Sequence, residues 1–408
     1  MKSSQIIDSE IKWVEANQPH AAHWRAENGS PAPRRVMVAD DTITADAAYR
    51  LACEGTALLW RGDFQNAKQL LQALARRVDA KSKRVLKKSA DQPLPQQGPR
   101  LPVVKQAARL PLAAFNLHRQ GQSQRARTLS MLLIPFNSDY TIPLRRAPDV
   151  RLACAEAWGP PDVSTEADDR GSVASLRELL GIIGAHEWRR KGVNVVALHD
   201  KVHPHYGVFA PIRGEYVSLV AAAILSQSPP VLAFDVGTGT GVLAAILAQH
   251  DVKRVIGTDQ DPRAVACARE NLSRLKLNDR VEVVAANLFP EGRAPLIVCN
   301  PPWLPARPSS PIERAIYDPD SGMLRGFLSG LAAHLEPGGE GWLILSDLAE
   351  HLGLRSRDLL LGWIDAAGLI VAGKMDVRPT HPRVSDAGDV LHVARAKEIT
   401  SLWRLKTK

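Results

Sequence analysis

The stretch Phe234–Gly241 reads Phe-Asp-Val-Gly-Thr-Gly-Thr-Gly and follows an apolar run that is predicted to form a strand. Glycines at alternate positions let the backbone turn tightly and approach a ligand closely. The helix predicted to begin next presents free N–H groups. The following predicted strand ends in Thr258-Asp259, where a carboxylate can accept hydrogen bonds from both hydroxyls of a ribose. This combination indicates a nucleotide-type cofactor site.

Two cofactors suit a glycine turn of this kind. A dinucleotide fold uses Gly-x-Gly-x-x-Gly, which needs a third glycine where this chain has Val242. An NAD-dependent oxidoreductase is therefore the weaker interpretation. The spacing instead resembles motif I of class I S-adenosylmethionine (SAM) methyltransferases. That resemblance implies SAM as the cofactor and the following cofactor-binding residues: Asp235, Gly237, Thr238, Gly239, Gly241 and Asp259.

A second motif follows the predicted strand Leu296–Cys299 and reads Asn300-Pro301-Pro302-Trp303. Proline cannot continue a central ladder, so the chain must leave the sheet at its carboxyl end, where ligands bind in open α/β sheets. The Asn300 side-chain oxygen and the Pro301 carbonyl can hold the N–H groups of a planar amide or amine and aim its nitrogen at a methyl carbon. Pro302 stiffens the loop and Trp303 offers a flat face for stacking. We expect these four residues to form the catalytic site, without a strong general base.

This motif matches the Asn-Pro-Pro-aromatic motif of methyltransferases that modify amino nitrogens. The block 200–395, about half of the chain, resembles the "methyltransferase small" group. That group contains the HemK-like protein-glutamine N5-methyltransferases and the ribosomal RNA guanine-N2 methyltransferases. Trp303 departs from both, because the first usually have Tyr and the second usually Phe at this place. The resemblance thus points to N-methylation without giving the acceptor.

Asn300 is assigned to cofactor binding as well as to catalysis, and the same resemblance implies four more cofactor-binding residues. Phe209 and Pro211 correspond to an aromatic-x-Pro stretch that covers the cofactor in related enzymes. Asn287 and Leu288 correspond to residues that lie beside the adenine. Asn287 stands where related enzymes usually have Asp. His203 and His205 have a spacing that suits a metal, but no further ligand is evident nearby, so no metal is predicted.

From residue 200 onward, strand and helix patterns alternate, which is typical of doubly wound α/β domains. Strands are predicted at Val231–Asp235, Arg254–Asp259, Val281–Ala285, Leu296–Cys299, Trp342–Ser346, Leu369–Met375 and Val390–Ala394. Helices are predicted near 215–226, 241–249, 262–275, 322–335 and 355–367. We therefore predict a seven-stranded Rossmann-like methyltransferase domain over 196–408, preceded by a smaller basic α+β substrate-recognition domain over 1–195.

The net charge of +9 and the isoelectric point near 9.5 come from one segment. Residues 61–150 carry a net charge of +12, whereas 200–408 is neutral by count. Cations are dense at Lys81–Lys88, ahead of the proline-rich stretch Asp91–Pro102, which is predicted to be a loop. Such a segment favours RNA or a ribosome-associated protein surface as partner.

Patterns in the first half predict a helix over 44–53 capped by Asp41-Thr42, a helix after Asp63, a third helix from Ser172 to Arg190 and an acidic loop at Asp162–Arg170. Strands are predicted at Thr56–Trp60 and Thr128–Ile134. The four cysteines are far apart and no signal peptide or membrane helix is evident, so we expect a reduced, cytoplasmic protein.

The sequence thus predicts a SAM-dependent N-methyltransferase acting on a protein glutamine or on an exocyclic base amine of ribosomal or transfer RNA. A non-catalytic RNA-binding protein that retains the fold is the alternative, against which the intact Asn300 and Asp259 argue. Arg378–Arg383 either overhangs the acceptor site or forms an exposed hairpin loop.

Overall fold

The computed structural model describes residues 10–90, 103–161, 171–308, 312–380 and 389–408 of the 408-residue chain, and only the backbone within 81–90 and 103–110. The predictions for Asp91–Pro102 and Asp162–Arg170 lie outside the described residues, as does part of Arg378–Arg383. The chain divides into two compact units. The first comprises Met1–Arg100 and Leu117–His186, and the second comprises Leu101–Asn116 and Glu187–Lys408.

The first unit is built on a six-stranded mixed sheet in the order β1-β2-β6-β5-β4-β3. The strands are β1 Glu10–Glu15, β2 Gln18–Arg25, β3 Arg35–Ala39, β4 Thr56–Trp60, β5 Leu132–Phe136 and β6 Ser172–Ser175. The helices are α1 Ala45–Cys53, α2 Phe64–Ala90, α3 Val103–Leu129, α4 Arg151–Trp158 and α5 Leu176–Lys191, of which α3 and α5 each cross a boundary between the units. Because β4 and β5 are buried on both faces, their side chains alternate between two hydrophobic clusters.

Several predictions for this unit are confirmed. Thr56–Trp60 is a strand, and Asp63 begins α2 by accepting a hydrogen bond from the backbone N–H of Gln65 at 2.8 Å. The helix over 44–53 is present, but its cap is Thr44, which accepts from Ala47 N, and not Asp41-Thr42.

Two boundaries in this unit were wrong. The strand predicted at Thr128–Ile134 begins only at Leu132, because α3 continues to Leu129. Ser172 does not cap a helix but begins the four-residue strand β6, all of which is buried. The cap of α5 is Ser175, whose Oγ accepts from Glu178 N at 3.1 Å.

The second unit contains a seven-stranded sheet in the order β11-β10-β9-β12-β13-β15-β14. Its strands are β9 Leu232–Val236, β10 Arg254–Asp259, β11 Val281–Ala285, β12 Ala294–Cys299, β13 Leu335–Ser346, β14 Leu369–Val377 and β15 Thr400–Thr407, and a separate hairpin pairs β7 Val193–Val195 with β8 Asp200–Val202. Its helices are α6 Glu215–Leu225, α7 Val242–Gln249, α8 Pro262–Arg274, α9 Gly322–His334, α10 Leu348–His351, α11 Arg357–Ala366 and α12 His392–Arg395. Strand β15 is antiparallel to both neighbours, and β9 to β13 are parallel. The predicted doubly wound, seven-stranded α/β fold is confirmed.

One strand prediction in this unit was wrong. The segment Val390–Ala394 forms a turn and the first residues of α12, and the seventh strand is β15. Leu391 and Ala394 are buried three residues apart while Val393 is exposed, which is a helical and not a strand alternation. Asp389 fixes this turn by accepting from Leu391 N at 2.9 Å.

The strand order determines where a ligand can bind. Strand β9 lies between β10 and β12, and the sheet continues in opposite directions from these two partners. In open α/β sheets the crevice at the carboxyl ends beside such a switch point is the usual ligand site. The ends of β9, β10 and β12 carry the glycine turn, Asp259 and Asn300, so the two motifs meet at one edge of the sheet.

Candidate active site

The glycine turn leaves β9 and folds back onto the end of β10. The backbone N–H groups of Gly237 and Thr238 donate to the carbonyl of Thr258 at 2.9 and 2.8 Å. Gly237 and Gly239 have φ of +75° and +55°, which other residues rarely adopt. A Cβ on Gly237 would lie 2.5 Å from Met323 Cε, whereas a Cβ on Gly239 would meet nothing within 4 Å. The open side of the turn is therefore at Gly239.

Asp235 lies beneath the turn and is fully buried. Its Oδ2 accepts hydrogen bonds from Thr238 Oγ1 at 2.6 Å and from the backbone N–H of Ala244 at 3.0 Å. Burial raises the pKa of this carboxyl to about 6, although the bonds from Thr238 and Ala244 act in the opposite direction. These two hydrogen bonds of Asp235 stabilise the glycine turn and the first helical turn of α7.

Asp259 lies at the end of β10 and faces the same turn. One carboxylate oxygen accepts from Gly239 N at 3.1 Å and the other from Asp261 N at 2.9 Å. Burial raises the pKa of this group, and the backbone bonds oppose that rise. Each oxygen keeps a lone pair, so the carboxylate can accept further bonds from a ligand beside Gly239.

The residues after β11 border this space. Asn287 is exposed, and Leu288 is half-buried with a φ of +69°. The Leu288 carbonyl accepts a hydrogen bond from Thr258 Oγ1, which ties this bend to β10. The structure therefore brings Asn287 and Leu288 close to the carboxyl end of the strand that carries Asp259.

The segment before α6 is attached to the glycine turn through a residue that the sequence analysis missed. Asn271 on α8 is buried, accepts from His203 N at 2.7 Å and donates to the carbonyl of Thr240 at 3.0 Å. Asn271 lies on the apolar face of the predicted helix 262–275, and a polar residue on such a face was the available signal. Phe209 and Pro211 follow in this segment, half-buried and buried respectively.

The two histidines take part in hydrogen bonds that fix this segment. His203 Nδ1 contacts the carbonyl of Arg189 at 2.6 Å, and His205 Nε2 contacts Glu270 at 2.7 Å. Glu270 also accepts from Arg189 and Arg274, and these partners hold its pKa at about 2 against the effect of burial. Among the described residues, no group of three His, Cys, Asp or Glu side chains is placed to hold a metal ion.

The Asn300–Trp303 loop leaves the end of β12 as the prolines require. The indole N–H of Trp303 donates to Asn300 Oδ1 at 2.9 Å. Pro301 is buried, and Pro302 and Trp303 are half-buried. The loop continues to Leu304, which pairs with the segment around Tyr317 and Asp318. The four predicted catalytic residues thus form one turn above the sheet, beside the glycine turn.

A charged network adjoins the Trp303 ring. The Arg213 guanidinium lies 5.4 Å from the centre of the Trp303 ring. It donates to Glu215 at 2.8 Å and to Glu398 at 3.1 Å. Glu398 precedes β15, the strand that was not predicted, and so its participation had no sequence signal.

Asp318 fixes the start of α9 next to the glycine turn. Its two carboxylate oxygens accept from the backbone N–H groups of Met323 and Leu324 at 3.0 and 3.1 Å. This carboxylate satisfies free N–H groups at the helix start. It thereby holds Met323, whose side chain lies against Gly237. Cys299 is fully buried at the end of β12, and burial raises the pKa of its thiol well above the ordinary value, so it is an unreactive core residue.

In the part of the chain that the structure describes, no helix combines the length and apolarity needed to cross a membrane. Arg378–Thr380 follows β14 as irregular chain, and His381–Arg383 lies outside the described residues.

Comparison with known proteins finds related sequences over part of the chain. The family model of the methyltransferase small domain matches residues 200–355. A release factor glutamine methyltransferase of Cereibacter sphaeroides is 32% identical over 172 residues, which cover 38% of this chain and 58% of the relative. A second one, of Mycolicibacterium smegmatis, is 38% identical over 125 residues, 29% of this chain and 44% of the relative. A ribosomal protein L11 methyltransferase of Clostridium perfringens is 42% identical over 69 residues, 16% of this chain and 22% of the relative.

A solved structure, the ribosomal protein L11 methylase of Lactobacillus delbrueckii subsp. bulgaricus, has 18% identity and a TM-score of 0.33, over 47% of this chain and 79% of that one. The chain spans about half or less of the length of the curated relatives above. Residues 200–355 match the methyltransferase small domain, and the resemblance of this part of the chain to the methyltransferase small group of class I SAM-dependent methyltransferases is confirmed.

Proposed function

We propose, from the premise that residues 200–355 carry a methyltransferase small domain, that this protein is a SAM-dependent N-methyltransferase. Its acceptor is a planar nitrogen in a component of the translation machinery. The observation that carries the proposal is the meeting of the Asn300–Trp303 loop with the glycine turn and Asp259 at the carboxyl ends of adjacent strands.

The residues at the glycine turn fit SAM. The space beside Gly239 is open, and the Asp259 carboxylate that borders it suits the two ribose hydroxyls. Leu288 and Asn287 would border the adenine, and Phe209 and Pro211 would cover the cofactor. Asp235 and Thr238 act through the shape of the turn. When bound, SAM supplies an electrophilic methyl group.

Asn300 and Pro301 bind and orient the acceptor nitrogen. The Asn300 side-chain oxygen and the Pro301 carbonyl accept the two N–H bonds of an amide or amine, which increases electron density on nitrogen and fixes its direction. Trp303 and Pro302 keep this turn rigid. The proton leaves after the methyl group has been transferred, so a strong base is not needed and Cys299 has no role.

A side-chain amide of a protein glutamine is the acceptor that we favour. Release factor glutamine methyltransferases are among the relatives with the longest matched segments. In the first unit, Arg61, Arg77 and Arg125 form ion pairs within their own unit, which weakens the case for RNA contact by the described part of 61–150. The test is labelled methyl transfer to release factor, to methyl-free ribosomes and to protein-free ribosomal RNA. Labelling confined to RNA would contradict a protein acceptor.

Asn300→Ala tests the catalytic assignment. We expect S-adenosylhomocysteine affinity, measured by calorimetry, to stay within about twofold, because Asp259 and the glycine turn are untouched. Methyl transfer should fall by about 100-fold or more, because misplacing the acceptor by 1 Å has an effect of this size.

The matched control is Asn137→Ala, which removes an exposed asparagine bonded to Thr141 in the first unit and should change neither quantity. Unchanged turnover in Asn300→Ala would refute the assigned role. Absence of S-adenosylhomocysteine binding by the unmodified protein would instead support the alternative of a non-catalytic protein that retains the fold.

A further inference from the structure

The hydrogen bond between Trp303 and Asn300 selects one orientation of the Asn300 amide. An indole N–H is a donor without acceptor capacity, so the atom 2.9 Å away has to be the amide oxygen and not the NH2 group. That oxygen has two lone pairs, and one remains for the N–H of an acceptor. A phenyl or phenol ring at position 303 has no N–H with which to make this selection.

The ring of Trp303 is in turn held by Arg213. The guanidinium lies over the indole at 5.4 Å from its centre, a distance typical of cation–π contact. Nε of Arg213 donates to Glu215 at 2.8 Å and Nη2 donates to Glu398 at 3.1 Å. Two carboxylates therefore hold the guanidinium in its position over the ring.

Glu398 connects this arrangement to the sheet. Its side chain is 1% exposed, and its Oε1 also accepts from Ser346 Oγ at 2.7 Å. Ser346 is the last residue of β13 and itself accepts from Leu348 N at 3.1 Å. Strand β13 pairs with β12, whose end carries Asn300. The support for the ring is thus attached to the strand next to the one that bears the amide.

We propose that Arg213 is a positioning residue for the acceptor site: fixed by Glu215 and Glu398, it orients the Trp303 ring, and Trp303 orients the Asn300 amide toward the acceptor nitrogen. The catalytic consequence rests on the proposed function, whereas the positioning itself does not. A lysine cannot replace Arg213, because one ammonium cannot bond two carboxylates in a plane and stack on the ring at once.

The positioning can be measured on the full-length protein without any substrate. With 15N-labelled tryptophan, the indole signal of Trp303 is identified by its loss in Trp303→Phe. We expect Arg213→Met to increase the hydrogen exchange rate of this indole N–H about tenfold. The matched control is Arg357→Met, since Arg357 stacks on Trp403 at 5.5 Å and pairs with Glu350 at 2.8 Å, and it should leave the Trp303 signal unchanged. An unchanged exchange rate in Arg213→Met overturns the proposal.

The catalytic consequence is measured with whichever acceptor the unmodified protein methylates. Arg213→Met and Trp303→Phe should each lower kcat about tenfold while the affinity for S-adenosylhomocysteine stays within twofold, and Arg213→Lys should not restore kcat. A general loss of structure would lower both quantities together. If Trp303→Phe keeps full kcat, the positioning role is wrong. If the unmodified protein methylates no acceptor, the proposed function fails, and the exchange experiment still decides whether Arg213 orients Trp303.

Discussion

At the scale of single residues, the carboxylates of Asp235 and Asp259 lie in different surroundings. Asp235 is fully buried and accepts hydrogen bonds from Thr238 in the turn and from Ala244 in α7. Asp259 instead borders the open side of the turn at Gly239. Both were assigned to cofactor binding from the sequence. We infer that Asp235 acts indirectly, because its hydrogen bonds fix the path of Gly237–Gly241.

The raised pKa of Asp235 leads to a pH-dependent stability. The ordinary value is 3.8 and the folded value is about 6, so between these values the folded protein holds a proton that the unfolded chain has released. The resulting stabilisation is present below about pH 4 and is lost as the pH rises through 6. Its upper bound is about 3 kcal/mol, at about 1.4 kcal/mol per pKa unit.

The measurement is the free energy of unfolding of the unmodified protein and of Asp235→Asn between pH 4 and 7.5. The asparagine does not ionise, so its burial does not depend on pH. The free energy of unfolding of the unmodified protein, relative to that of the variant, should therefore decrease by about 1–3 kcal/mol as the pH rises across this range. A difference that stays constant with pH would show that the Asp235 carboxyl does not titrate in this range.

At the scale of elements, α8 supports the glycine turn as well as closing the sheet. Asn271 bonds both the carbonyl of Thr240 and the N–H of His203, so one side chain joins α8, the turn and the segment that carries Phe209. The boundaries of α8 were predicted to within a residue. The role of Asn271 required the tertiary structure, because both of its partners are distant in sequence.

Asn271→Ala is expected to lower the free energy of unfolding by about 2–4 kcal/mol, because it leaves a buried carbonyl and a partly buried N–H without their partner. The affinity for S-adenosylhomocysteine should fall as the turn loses its support. Urea unfolding and calorimetry measure the two effects. Asn194→Ala, at an exposed position of β7, is the control and should change both by little. Loss of stability with full affinity would disprove the link between α8 and the turn.

At the scale of the whole molecule, the cations of residues 61–150 are of two kinds. Some form ion pairs within the first unit, and others belong to the dense cluster Lys81–Lys88. In the first unit, Arg145 and Arg146 both pair with the buried carboxylate of Asp63. The hydrogen bond from Arg146 contributes most to keeping the pKa of Asp63 far below its ordinary value. Such cations serve the fold of the first unit. For the dense cluster Lys81–Lys88 the structure describes only the backbone. That this cluster contacts RNA remains a prediction from the sequence.

The salt dependence of binding distinguishes these two kinds of cation. Changing Lys81, Lys83, Lys87 and Lys88 to Gln should reduce the slope of log affinity against log salt for a ribosomal RNA fragment by roughly 3. Changing Arg77 and Arg125, which pair with Asp46 and Asp79, should reduce it by less than about 1. Equal reductions in the two variants would show that the lysine cluster has no special part in RNA contact.

The sequence by itself determined the fold of the second unit and the place of its two motifs. Local spacing was sufficient for this, because glycines, prolines and buried strands impose their geometry on neighbouring residues. The seventh strand was misplaced at Val390–Ala394, since a short apolar run does not distinguish a helical turn from a strand. Only the tertiary structure brought Glu398 and Arg213 to Trp303 and placed the Trp303 N–H on Asn300. These contacts join residues far apart in the chain, and no local pattern encodes them.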